Sequence, residues 1–178
     1  PFLLRVEYGM KRRTLWIATA LIALIAVTSQ FRLVKVQGLD MVPGFQEGDW
    51  VLLGPGSPKL GDVFQLSDPS DPTRRILRRI VAKEEDLVSY KNGSLSVNGQ
   101  GLRIREMHQE NGWALRSEAN SWLIRKRAQR DYSSEISGEV PNGSVYLLAD
   151  ARDEGIDSRW WGAIPSAALG RKVWLRWG

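Results

Sequence analysis

Thr14 to Phe31 runs for 18 residues without a charge and is rich in Leu, Ile and Ala; no other stretch restricts the fold as much. As a helix it would be about 27 Å long, close to the hydrocarbon thickness of a bilayer. The expectation is one transmembrane helix over residues 14–31, preceded by a tail (1–13) and followed by a folded region (32–178). A buried helix and a cleavable leader are the alternatives. A leader has a shorter apolar core and a small-x-small site, and Ser29-Gln30-Phe31-Arg32 is a poor one, which favours an uncleaved anchor. Arg5, Lys11, Arg12 and Arg13 precede the run, so the positive-inside rule assigns the tail to the cytoplasm and the rest to the outer side.

With that segment set aside, a chain of 178 residues that is 43% hydrophobic has material for one further core. The formal charge of +5 falls to +2 once Arg5, Lys11, Arg12, Arg13 and Glu7 are left out, so the basic character belongs mainly to the tail. A small, dispersed excess argues against nucleic acid as a partner, because phosphate binding needs a concentrated basic face. There is no cysteine, hence no disulfide and no thiolate zinc site. A single histidine, His108, makes a Ser-His-Asp triad or a multi-histidine metal centre an unsuitable reading, and no metal or cofactor is expected. His108 itself reads as a surface residue.

After Phe31 the pattern becomes short and β-like. Leu33-Val34-Lys35-Val36, Trp50-Val51-Leu52-Leu53, Asp62 to Leu66 and Ile76 to Ala82 are apolar runs bounded by turn residues. Asn92-Gly93 between Val88-Ser89-Tyr90 and Leu95-Ser96-Val97 is a hairpin signal, since Asn-Gly tolerates the positive φ of a type I′ turn. Asn142-Gly143 also reads as a turn. Trp122 to Arg130 fits either a short helix or a strand with a basic end, and residues 101–139 are the hardest to place. The fold class expected is mainly β, an antiparallel β domain behind one N-terminal transmembrane helix.

Several blocks then occur in order: Asp40-Met41-Val42-Pro43, Gly48-Asp49 before a strand, Lys59-Leu60-Gly61-Asp62-Val63, Arg78-Arg79-Ile80-Val81 and Val97-Asn98-Gly99. The longest is Ala149-Asp150-Ala151-Arg152-Asp153-Glu154-Gly155-Ile156-Asp157-Ser158-Arg159-Trp160-Trp161-Gly162. Together with the apolar run, this series resembles the bacterial type I signal peptidases. Their nucleophile block is Ser-Met-x-Pro, their general-base block Tyr-Ile-Lys-Arg-Val, and their last block Gly-Asp-Asn-Arg-Asp-Asn-Ser-x-Asp-Ser-Arg-x-Trp-Gly. The resemblance implies a mostly β fold on the periplasmic side of the bacterial inner membrane, with a single span and an extended substrate held beside a strand. It also implies a serine nucleophile whose proton passes to a lysine.

Here the chemistry is absent from those positions. Asp40 stands where the family has its serine, Arg78 where it has its lysine, and Gly155 where a further serine orients that lysine. Guanidinium stays protonated and has no lone pair to accept a proton, so Arg78 cannot be the base. A carboxylate is a poor acyl nucleophile, and attack by Asp40 would give a reactive anhydride. An aspartic-peptidase mechanism needs two carboxylates sharing a proton, and a neighbouring arginine would keep Asp40 ionised. Asp40 and Arg78 are expected to form a charge-assisted pair at roughly 2.7–2.9 Å; the alternative has both turned to solvent. The resemblance further implies that Asp150, Arg152, Asp157, Ser158 and Arg159 brace the loops through scaffold ion pairs, and that Gly38 serves a turn.

Eight tryptophans are many for this length, and four fall in the last 20 residues. Trp16 suits a membrane interface and Trp161 matches the family tryptophan. Trp50, Trp174 and Trp177 are candidate interface residues, because aromatic side chains and Arg concentrate at protein contacts. The segment Val173 to Gly178 is either a docking strand or the strand that closes the β domain.

The expected function is therefore a non-catalytic, signal-peptidase-like, membrane-anchored structural or assembly subunit of a larger membrane protein complex. Its partners are membrane lipid and the other subunits. The second reading is a peptide-binding chaperone or regulator of protein export, with extended peptides as ligands. The third is an active peptidase using relocated groups such as Lys35 or Lys83 with a serine.

Overall fold

The computed structural model describes residues 2–91, 93–119, 122–127 and 136–178. Two compact units divide the chain, Pro1–Arg32 and Leu33–Gly178. The first contains one helix, α1 (Phe2–Thr28). It includes most of the expected tail and stops short of the expected limit at Phe31. The early end has a local cause. Thr28 Oγ1 donates to Leu24 O and Ser29 Oγ to Ala26 O, both at 2.9 Å, while Gln30 N and Phe31 N reach only three residues back. Hydroxyls on the last carbonyls and a tightened final turn satisfy acceptors that further helix would otherwise have to meet. Among the described residues no helix is long and apolar enough to cross a membrane. The expected span therefore rests on the sequence pattern alone.

The second unit is almost entirely antiparallel β. Its strands are β1 (Arg32–Lys35), β2 (Trp50–Gly54), β3 (Val63–Asp68), β4 (Asp71–Lys83), β5 (Leu87–Lys91), β6 (Ser94–Val97) and β7 (Gln100–Gly101). They continue with β8 (Ile104–Glu110), β9 (Trp113–Glu118), β10 (Trp122–Arg127), β11 (Ile136–Glu139) and β12 (Ser144–Leu148). A one-turn helix, α2 (Ser158–Trp161), precedes β13 (Ile164–Pro165) and β14 (Leu169–Trp177). Among the described residues these form three sheets: β1-β2-β14-β3-β4-β12-β13, β10-β9-β8 and β11-β5-β6-β7.

Period-2 alternation accounts for the strands read from sequence. In β2, Val51 and Leu53 are buried while Trp50 is exposed, as side chains of successive residues point to opposite faces. The hairpin of β5 and β6 pairs Val88 with Val97 and Tyr90 with Leu95. Gly93 has φ +72° in its turn; Asn92 lies outside the described residues. Trp122–Arg127 is a strand, paired to β9 from Trp122↔Glu118 to Arg127↔Trp113, and residues 128–130 fall outside the described set.

Val173 to Trp177 belongs to β14, a strand within the seven-stranded sheet. β14 pairs with β3 over Leu169–Lys172 and with β2 over Lys172–Trp177, so it lies between those two strands in the sheet, while Val173–Trp177 is paired on the β2 side alone among the described residues. Trp174 and Trp177 remain exposed, as does Trp50, which lies directly opposite Trp177.

Among the described residues three buried clusters form the core, all within the second unit. One gathers Val81, Val88, Tyr90, Ile124, Tyr146 and Leu148; a second Phe64, Leu66, Ile76, Ile80 and Leu147; a third Val36, Met41, Phe45, Val51 and Leu53. β4 ties them together. Its N-terminal part, up to Arg79, pairs with β3, and its C-terminal part, from Arg79 onward, with β12.

Candidate functional site

Met41 and Phe45 anchor the segment after β1 in the third cluster, and this fixes the backbone at Asp40. Ala151 N donates to Asp40 O at 2.9 Å, tying that segment to the 149–157 loop. Gly38 has φ +83° with open space around it, so backbone conformation and not crowding calls for glycine there. Further on, Gln46 N donates to Asp49 Oδ2 at 2.9 Å and Gly48 has φ +96°, so the Gly48-Asp49 block is a structural turn.

On β4, Arg78 sits opposite Phe64 of β3 and is 2% exposed. A buried guanidinium must find acceptors for its N–H groups. Nη2 donates to Asp40 Oδ2 at 2.9 Å and to Ile156 O at 2.8 Å, Nε to Ile156 O at 3.0 Å, and Nη1 to Leu77 O at 2.6 Å. The two positions that the motif reading singled out are thus joined by an ion pair. Asp40 is partly open, with its side chain 27% exposed. The cation is the deeper member.

Gly155 completes this corner. A Cβ built there would lie 2.2 Å from Ala149 Cβ and 3.7 Å from Arg78 Nη2. Any side chain at 155 would point toward the guanidinium, and the Ala149 methyl occupies the space it needs. Lys83 faces elsewhere, lining a separate surface pocket with Asp86 and Asn98.

The retained polar residues form the bracing around this corner, with partners the sequence did not name. Asp150 is paired two ways with Arg79, through Nε at 2.8 Å and Nη2 at 2.5 Å, and Arg79 Nη1 also donates to Gly61 O at 2.7 Å. Burial pushes the Asp150 carboxyl up from its ordinary range, and the Arg79 hydrogen bonds and charge oppose that. Arg152 is paired with Glu118, which also accepts from Trp122 Nε1 at 2.9 Å. Asp157 accepts from Ala149 N at 2.9 Å and from Arg159 Nε and Nη2, both at 2.8 Å. Ser158 Oγ accepts from Leu147 N at 3.0 Å.

Arg79 and Glu118 were missed. Arg79 had a usable signal, its place next to Arg78 in the same block; Glu118 lies in the stretch without motif support and had none.

Beside the Asp40–Arg78 pair runs a groove of about 390 Å³, bordered by Val34, Lys35 and Gln37 on one side and Thr73 to Leu77 on the other. The hydroxyl of Thr73 is engaged with Asp71 Oδ1 at 2.6 Å, and no serine lines the groove among the described residues. Nor do those residues gather a cluster of His, Asp and Glu able to hold a metal ion.

The chain is 28% identical over 148 residues to "Signal peptidase I" of Pseudomonas fluorescens, an alignment covering 68% of this chain and 51% of that protein. This chain thus spans about half the length of that relative. "Signal peptidase I" of Pseudomonas aeruginosa is 26% identical over 214 aligned positions, covering 98% of this chain and 74% of that one. "Signal peptidase I V" of Bacillus subtilis is 26% identical over 162, covering 87% and 92%. A crystal structure of a signal peptidase I from Enterococcus faecalis matches with a TM-score of 0.46 at 17% identity, covering 65% of this chain and 96% of that one. The family model described as "Signal peptidase, peptidase S26" matches residues 10–177, and the chain belongs to that family.

Proposed function

We propose that this chain is a non-catalytic member of its family that serves as a membrane-anchored structural or assembly subunit of a larger membrane protein complex. The observation that carries the reading is the ion pair of Asp40 and Arg78 at 2.9 Å; on the resemblance of their sequence blocks, these two stand where the family has its nucleophile and base. A guanidinium with no lone pair cannot take a proton, and the carboxylate facing it offers no alcohol for acyl transfer. Attachment in this reading comes from the uncharged run Thr14–Phe31, with the N-terminus in the cytoplasm and Leu33–Gly178 on the periplasmic side of the bacterial inner membrane. The exposed Trp50, Leu175 and Trp177 supply an apolar face toward lipid or a neighbouring subunit.

Purified protein incubated with preproteins should leave their intact masses unchanged. Specific cleavage that disappears in Asp40→Ala would overturn the reading.

The groove supports a second one, a peptide-binding chaperone or regulator of export. Photocrosslinking from residue 37 separates the two. Capture of one constant neighbour in the native membrane marks a subunit, and capture of many preproteins marks a receptor.

A further inference from the structure

The groove is bordered by two strand edges that lack a partner among the described residues. β1 is the first strand of the seven-stranded sheet. On β4 the β12 pairing runs only from Arg79 to Lys83, so Asp71 to Arg78 is paired on the β3 side alone. Backbone N–H and C=O groups on such edges are ready to pair with an added strand.

The side chains around these edges are mostly cationic. Lys35, Arg74, Arg75 and Arg78 line the groove, and Asp40 is the one carboxylate among its lining residues. Asp40 is already engaged with Arg78. Arg74 reaches Asp68 only at 3.8 Å, with its side chain 61% exposed, and also feels the charge of Asp71. Arg75 donates to a neutral acceptor, Ser67 Oγ, at 2.6 Å. Neither Lys35 nor Arg75 makes an ion pair among the described residues. Exposed cations around an unpaired strand edge favour a ligand that brings carboxylates in an extended backbone.

We infer that this groove takes an extended acidic segment of a partner polypeptide, added as a strand between β1 and the N-terminal part of β4. Lys35, Arg74 and Arg75 read its carboxylates. The inference deepens the subunit reading, and only the statement that the bound segment stays intact rests on the loss of catalysis.

The test uses the full chain in mild detergent and fluorescently labelled octapeptides of alternating Glu and Val, Gln and Val, or Lys and Val, followed by anisotropy at low ionic strength. The Glu peptide should bind about tenfold or more tightly than the Gln peptide, and the advantage should shrink as salt rises. Combining Lys35→Gln, Arg74→Gln and Arg75→Gln should abolish the preference without moving the thermal midpoint, because all three side chains are exposed. Combining Lys59→Gln, Arg103→Gln and Arg105→Gln removes the same charge away from the groove and should preserve it. Equal affinity for the Glu and Gln peptides overturns the inference, as does a preference that survives the groove substitutions. Undiminished binding of a backbone N-methylated Glu peptide overturns the strand addition. Cleavage of the Glu peptide, read by intact mass, overturns the non-catalytic reading while leaving the acidic preference standing.

Discussion

At the residue scale the informative feature is a set of coupled replacements. Arg78 is buried with all its nitrogens hydrogen bonded, so removing Asp40 would leave the cation with carbonyl acceptors but no counter-charge. Breaking a buried pair this way costs about 3–5 kcal/mol, and the partial exposure of Asp40 points to the lower end. Gly155 and Ala149 are coupled by volume. Gly155→Ser should destabilise by about 1–3 kcal/mol because its Cβ overlaps the Ala149 methyl, and Gly155→Ser with Ala149→Gly should recover a large part of that loss. Denaturant midpoints of the two single variants and the double variant check this. Strict additivity would show that the methyl is not the obstacle. A different residue sets a pH dependence. Burial, helped by the charge of Asp157, raises the Tyr146 pKa above its ordinary 10.0, and its hydroxyl is buried without a hydrogen-bond partner among the described residues. A folded-state pKa above the unfolded one gives stability that is complete below about pH 10 and lost as pH rises through the folded value. The denaturant midpoint should therefore fall above pH 10. Tyr146→Phe should flatten that fall with little change at neutral pH, and an unchanged alkaline profile would show that Tyr146 does not cause it.

At the scale of elements, β14 decides how the large sheet closes. Between its pairings Leu169↔Leu66 and Lys172↔Phe64 the register shifts, and Gly170 lies in that irregularity. A Cβ there would meet Gln65 O at 2.6 Å, a backbone atom that cannot rotate away. Gly170→Ala should therefore cost about 2 kcal/mol or more by forcing β14 off β3, measurable as a drop in thermal midpoint. A glycine within an apolar strand pattern is a sequence sign of a bulge or close approach, but nothing local says which strand approaches. The α2 turn shows the reverse case. Asp157 accepts from Arg159 N at its start and holds Ala149 N and the Arg159 guanidinium. An Asp ahead of a short helix is legible as a cap, because capping acts over two or three residues.

At the scale of the whole molecule, all three core clusters lie within Leu33–Gly178. That segment expressed alone should unfold cooperatively with a midpoint close to that of the full chain, followed by tryptophan fluorescence. A collapse of cooperativity would show that α1 supplies part of the core. The amino-acid sequence alone determined the strands with clear alternation, the Gly93 turn and the family blocks, and the resemblance those blocks carry raised the expectation that Asp40 meets Arg78. Each of these is written in local periodicity, turn chemistry or motifs whose order is kept along the chain. Tertiary structure alone decided that β14 lies between β2 and β3, that Asp150 pairs with Arg79 and Arg152 with Glu118, and that Ala149 fills the space beside Gly155. Those contacts join residues up to 71 positions apart in these ion pairs. Among several chemically equivalent partners, the one chosen is set by which strands pack together, and no short stretch of sequence encodes that.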